Sequence, residues 1–159
     1  MLRINIYCIG KIKEKYFKDA INEYSKRLSK YCSLNIIELP DKPIPEKSNI
    51  SIEKQIIDSE SEEIINKLNI SSYKIALDLT GKQYTSLEFA SKINNIQIYN
   101  STISFVIGGS LGMNDKLKNI CDEKISFSKM TFPHQLMRIF LLEQIFRAFK
   151  INNNEKYHK

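Results

Sequence analysis

Strand-like and helix-like patterning alternate five times along this chain, and that alternation restricts the fold more than any other feature. Leu2–Ile9 is an apolar β-run that stops at Gly10, which reads as a strand followed by a turn. Lys13–Lys30 then sets Tyr16, Phe17, Ala20, Ile21, Tyr24 and Leu28 at helical spacing. Leu34–Leu39 is β-rich and stops at Pro40; residues 40–50 carry three of the four prolines and read as a loop. Ser51–Leu68 is a charged helix with Ile52, Ile56, Ile57, Ile64, Ile65 and Leu68 on its buried face, and its start SIEK lacks a capping box. Tyr73–Leu79 is an apolar strand ending at Gly81, and Ser86–Ile96 a helix capped by Thr85 or Ser86. Thr102–Ile107 is continuously apolar and β-branched, as in a strand buried on both faces. A glycine loop, 108–114, leads to a short helix at Asp115–Cys121 and a last strand at Lys124–Phe127. A long helix, Pro133–Lys150, follows, with proline suited to its first turn. The order β-α-β-α-β-α-β-α-β-α implies an α/β fold: an open parallel sheet with helices on both faces.

At 159 residues the chain suits one domain, 1–159, large enough to bury a core without disulfides or metals. Lys and Arg outnumber Asp and Glu by 24 to 18, a net charge of +6 that favours a polyanionic partner only weakly. The three cysteines, Cys8, Cys32 and Cys121, are far apart and none forms a CxxC pair. That spacing argues against a zinc knuckle or a disulfide framework and fits a reducing cytoplasm. No run of about 18 apolar residues is available for a membrane span, and the N-terminus lacks the pattern of a secretory signal.

All five glycines follow predicted strands closely, and three of them, Gly108, Gly109 and Gly112, follow the most apolar one. Ligands of open parallel sheets bind beyond the carboxyl ends of the strands, where glycine lets backbone approach a ligand. IGGSLG is neither a P-loop, since no GKS or GKT follows, nor a dinucleotide fingerprint, which belongs after the first strand. These residues therefore point to a glycine-lined pocket late in the chain. Next comes SFSKMTFPHQ, in which hydroxyl and apolar residues lead into the last helix. Its apolar arc (Leu136, Met137, Ile139, Phe140, Leu141, Leu142, Ile145, Phe146, Phe149) is wide enough to require cover on more than one side, from the sheet and a second subunit.

IGGSLG, SFSKMTFPHQLMRIFLLEQIFRAFKI and the terminal YHK, together with IYCIGKIKEKYFKDAINEYSKRL near the N-terminus, resemble the RlmH family of SPOUT-class methyltransferases. The resemblance spans essentially the whole chain. It implies methylation of N3 of a pseudouridine in bacterial 23S ribosomal RNA from S-adenosyl-L-methionine, a homodimer, and a C-terminal trefoil knot, which patterning alone could not reveal because true knots are nearly absent from proteins. It places the cofactor on Leu77, Gly108, Phe127, Ser128, Lys129, Met130, Thr131 and Phe132, with Leu77, Met130 and Phe132 against the purine.

For catalysis, His134 stands beside the cofactor loop at the start of the last helix, with a plain helix-start role as the alternative. Arg138 sits among apolar neighbours and needs a partner: RNA phosphate, a developing uracil oxyanion, or an acid such as Glu143 of another subunit. Tyr157 and His158 form a tail expected to fold over the substrate pocket. Asp78 and Glu88 are candidate acids, though surface or capping roles are favoured for both. Lys11, Lys13, Lys15, Lys129 and Lys159 are candidate phosphate contacts, which give affinity but little sequence choice. Three rival readings remain: a non-catalytic RNA-binding module, a methyltransferase acting on transfer RNA, and a nucleotide-binding oxidoreductase, which the missing early fingerprint disfavours.

Overall fold

A computed structural model describes residues 1–159. All ten expected elements form in the expected order: β1 Leu2–Ile9, α1 Lys15–Leu28, β2 Cys32–Leu39, α2 Ile50–Lys67, β3 Tyr73–Gln83, α3 Ser86–Tyr99, β4 Thr102–Ile107, α4 Asp115–Ile120, β5 Glu123–Ser126 and α5 His134–Asn152. The strands make one five-stranded sheet, order β2-β1-β4-β3-β5, and every pairing is parallel.

Strand side chains alternate between two apolar layers. Ile4, Ile6, Cys8, Ile75, Ile103, Phe105 and Ile107 face a core that takes in α1, α3 and α5. Tyr7, Ile9, Ala76 and Val106 face a smaller one with Ile64 of α2 and Leu117 of α4. Helices therefore cover both faces. All six residues of β4 are buried, as its uninterrupted apolar pattern requires.

Helix α2 starts at Ile50 because the Asn49 side chain accepts a hydrogen bond from the Ile52 N–H at 2.9 Å. This cap stands just before the SIEK motif, at the end of the stretch read as a loop. Thr85 caps α3 in a full capping box: its hydroxyl accepts from the Glu88 N–H while the Glu88 carboxylate accepts from the Thr85 N–H. Glu88 is thus a capping residue. Thr85→Ala should cost about 1 kcal/mol of stability, measured by urea unfolding; an unchanged midpoint would mean the box contributes nothing net.

Two expectations change. The C-terminal half of α5, Leu141–Phe149, finds its second cover inside this chain, between α1 and α3 against the sheet. Leu136, Met137, Ile139 and Phe140 of the same arc stay half-buried. Strand β3 runs on to Gln83 through a break: Ile125 of β5 pairs with both Leu77 and Lys82, so residues 78–81 form an arch, a bulge between two registers of β3 against β5. Gly81 lies in this arch, where a Cβ would stand 2.6 Å from the backbone N and C of Ile125.

Candidate active site

The carboxyl ends of β3, β4 and β5 open into a cleft of about 680 Å³. Its walls come from Leu77–Leu79, Ile107–Met113, Ile125–Ser128 and the Thr131–His134 entry to α5, with Lys118 and Met137 completing it. A smaller cavity of about 260 Å³ shares Ile125–Ser128 and Phe132 with it, and reaches back to Glu143 and Gln144.

The glycine loop owes its sequence to tight packing as much as to the cleft. A Cβ on Gly108 would meet the Gly112 backbone at 2.9 Å, and one on Gly109 would meet Glu60 Oε1 at 2.7 Å. Gly112 has open space around it but φ +90, which L side chains rarely adopt. The loop backbone is thereby bared to the cleft on one side and wedged from behind by α2.

Glu60 supplies that wedge. It is 4% exposed and accepts a hydrogen bond from the Lys42 N–H at 2.9 Å. Burial pushes its carboxyl above the ordinary 4.5, opposed by the Lys42 hydrogen bond. The folded state therefore holds a proton that the unfolded state has released, and stability falls as pH rises through the window above 4.5. Glu60→Gln should raise the urea midpoint at pH 8 and lose that advantage by about pH 4. A lower midpoint at pH 8 would mean that the hydrogen bond to the charged carboxylate outweighs its burial.

Of the predicted cofactor residues, Leu77, Gly108, Phe127, Ser128, Thr131 and Phe132 line the cleft. Lys129 and Met130 do not. The Met130 N–H donates to Ser128 Oγ at 3.0 Å in a tight turn that points both side chains outward, leaving Met130 73% exposed. The purine-facing role expected of the Met130 side chain is therefore corrected. Ser110, Leu111 and Met137, which were not among the expected site residues, and Asp78, for which a surface or capping role was favoured, also line the cleft.

The four predicted catalytic residues do not converge. His134 lines the cleft, and its Nδ1 is buried without a hydrogen-bond partner. Burial first, then the Arg138 guanidinium, hold its pKa below the ordinary 6.5, against a smaller opposing pull from Asp41. The ring is thus neutral at physiological pH and able to accept a proton. Arg138 is 1% exposed, and its partner is Glu38 of the same chain, not Glu143 of another. Nη1 donates to Glu38 Oε2 at 2.7 Å, and Nη2 to the carbonyls of Ile9 at 3.0 Å and Gly10 at 2.6 Å. It pins α5 to the ends of β1 and β2 one turn beyond His134, making it a positioning residue.

The tail packs along α5 rather than over this chain's own cleft. Tyr157 packs edge-on against Phe146, with ring centroids 5.1 Å apart, and its hydroxyl donates to Glu143 at 2.9 Å. Glu143 also accepts from Tyr24 at 2.6 Å and from Arg147. His158 Nδ1 lies 3.2 Å from Arg147 Nη1. At about 1.5 Å per residue, Glu143 is roughly 14 Å along the helix from His134. No group of three or more His, Cys, Asp or Glu residues is placed to hold a metal ion, and no helix is long and apolar enough to cross a membrane.

Residues 2–158 match the family described as "Predicted SPOUT methyltransferase". A Clostridium acetobutylicum protein named ribosomal RNA large subunit methyltransferase H is 51% identical over 159 residues, covering 99% of this chain and 100% of the relative. A Clostridium botulinum protein of the same name is 53% identical with the same coverage. Among solved structures, a probable methylase family protein from Haemophilus influenzae superposes with TM-score 0.56 at 14% identity, over 98% of this chain and 70% of that one. A Legionella pneumophila methyltransferase in complex with the bound cofactor SAM superposes with TM-score 0.53 at 11% identity, over 93% and 66%. At such identities the two structures speak for the fold alone.

Proposed function

We propose, from the premise that this chain belongs to the SPOUT methyltransferase family, that it methylates large-subunit ribosomal RNA using S-adenosyl-L-methionine. The observation that carries this reading is the cleft itself: a glycine loop stripped of side chains, an apolar wall of Leu77, Phe127 and Phe132, and a buried imidazole nitrogen without a partner, all beyond the carboxyl ends of the strands. That donor set fits a small nucleoside cofactor. A flat purine suits the apolar wall, and the Gly108–Gly112 and Ser126–Thr131 backbones supply neutral hydrogen-bonding groups around it. The bound cofactor would supply an electrophilic methyl group on a sulfonium.

The chain's residues do the rest. Leu77, Phe127, Phe132 and Met137 exclude water from the reacting centre. His134, neutral and at the cleft wall, takes up the proton that a pseudouridine N3 must lose. Arg138 fixes the first turn of α5 and so the position of His134. The RlmH relationship supports N3 of a 23S pseudouridine as the acceptor, on the assembled ribosome, in the cytoplasm. It also supports one domain over residues 1–159, a homodimer, and a trefoil knot. Tyr157 and His158 stand too far along α5 to serve their own cleft, so in this reading they serve the cleft of a second copy.

The reading is tested by calorimetric titration with S-adenosylmethionine and by transfer of its labelled methyl group to ribosomes, free subunits and bare ribosomal RNA from cells lacking the protein. Binding together with label on large-subunit RNA is the expected result. Binding without label on any ribosomal acceptor would redirect the search to transfer RNA. Absence of binding would favour a non-catalytic RNA-binding module.

A further inference from the structure

The cleft lining contains one carboxylate, Asp78, and one lysine, Lys118. They face each other, with Lys118 Nζ 3.4 Å from Asp78 Oδ1 and side chains only 22% and 14% exposed. The Thr80 hydroxyl donates to Oδ2. Asp78 is therefore held from two sides, by α4 and by the arch of β3, at a fixed place beside Leu77. A carboxylate has about four acceptor sites, and these two contacts leave the others open. The neighbouring hydroxyls are less available: Ser126 Oγ donates to the Ser128 carbonyl at 2.8 Å, and Ser128 Oγ accepts from the Met130 N–H at 3.0 Å.

An adenosyl group brings two hydroxyls on adjacent ribose carbons, both good donors, which the apolar wall cannot satisfy. Leaving such donors unpaired in a closed site is costly. We propose that Asp78 is the ribose-recognition residue of the cleft: its carboxylate accepts hydrogen bonds from the vicinal hydroxyls of the adenosyl group, while Lys118 and Thr80 hold it in place. This rests on the reading of the cleft as an S-adenosylmethionine site. It makes Asp78 a selectivity residue, set against deoxyribose and against ligands that present an apolar edge there. It also explains why an ion pair between β3 and α4 is built into the cleft wall instead of the outer surface, where it would cost less desolvation.

The test is calorimetric titration of the full chain with S-adenosylmethionine, with S-adenosylhomocysteine and with the 2′-deoxy and 3′-deoxy analogues of the latter, using wild type, Asp78→Ala and Lys118→Met. Charge-assisted hydrogen bonds predict that wild type binds the parent at least about tenfold more tightly than one of the deoxy analogues. In Asp78→Ala that preference should fall to about twofold or less, within the scatter expected of such contacts. Lys118→Met should keep the preference in part, since the acceptor remains but loses its anchor. Thermal unfolding of both variants identifies a purely structural ion pair, which would lower both melting points alike and leave the hydroxyl preference intact; that result would overturn the proposal. So would an Asp78→Ala protein that keeps the hydroxyl preference but loses discrimination between S-adenosylmethionine and S-adenosylhomocysteine, because the carboxylate would then be answering the sulfonium charge. If wild type binds neither compound, the S-adenosylmethionine reading of the cleft fails, and the assignment of Asp78 with it.

Discussion

Replacing Gly81 by valine is expected to leave the chain unable to reach its native fold. The Cβ would lie 2.6 Å from the backbone N and C of Ile125 and 2.7 Å from the carbonyl carbon of Lys124. Real Cβ atoms do not approach backbone so closely, and backbone cannot turn aside as a side-chain tip can. Either β5 moves away from β3, breaking the pairs that Lys82 and Gln83 make with Ile125 and Ser126, or the arch opens. Both outcomes disturb the wall of the cleft, since Ile125–Ser128 belong to it. Overpacking a tight site typically costs about 1–3 kcal/mol even where side chains can yield. A clash with backbone should exceed that, a large part of the stability of a domain this size. Gly81→Ala should show the same defect in milder form, as a lowered urea midpoint and a loss of ligand binding. A Gly81→Val protein with wild-type stability would show that the Ile125 backbone does not press against Gly81.

The second large effect belongs to Arg138. Arg138→Met removes three hydrogen bonds and the cation facing Glu38, and should cost about 3 kcal/mol or more. Lysine should not rescue it, because one ammonium cannot reproduce the fork that spans Glu38 and two carbonyls. Glu38 is 34% exposed on its side chain, so Glu38→Gln should cost less, about 1 kcal/mol. The change has an electrostatic signature as well. Arg138 is one of the two causes that hold His134 below 6.5, so the His134 titration followed by NMR should move upward in Arg138→Met. Because the folded His134 binds its proton less readily than the unfolded one, the wild-type protein should lose stability as pH falls through about 6.5. That loss should shrink in the variant. A variant within about 1 kcal/mol of wild type, with His134 unmoved, would remove Arg138 from the positioning role.

Much of this architecture was legible in the sequence because it rests on periodicity. The apolar run of β4 announced a central strand, and the alternation of elements announced a parallel sheet. Helix ends were less visible, since Asn49 caps α2 from within a proline-rich stretch that reads as loop. The extension of β3 to Gln83 was hidden because its partner, β5, lies some 40 residues on, and local patterning carries no record of such a pairing. In the candidate site, the glycines marked the cleft correctly, but the reason for Gly109 was not visible: it stands against Glu60, contributed by α2. Position in the last helix suggested His134 and Arg138 for one site, and the family resemblance of the tail added Tyr157 and His158, whereas folding sends His134 to the cleft, Arg138 into the core and the tail along α5. A buried arginine and a substrate-binding arginine look alike in sequence. Only the positions of Glu38 and of the Ile9 and Gly10 carbonyls separate them here.

The central claim is methyl transfer to large-subunit ribosomal RNA, and nucleoside mass spectrometry tests it most directly. Ribosomes from cells lacking the protein are incubated with it and S-adenosylmethionine, and the 23S RNA is digested to nucleosides. The account predicts one new methylated nucleoside, 3-methylpseudouridine, absent when cofactor is withheld and diminished with a His134→Ala protein that still binds cofactor. An unmethylated 23S RNA, recovered from ribosomes exposed to a protein that binds S-adenosylmethionine, would contradict it.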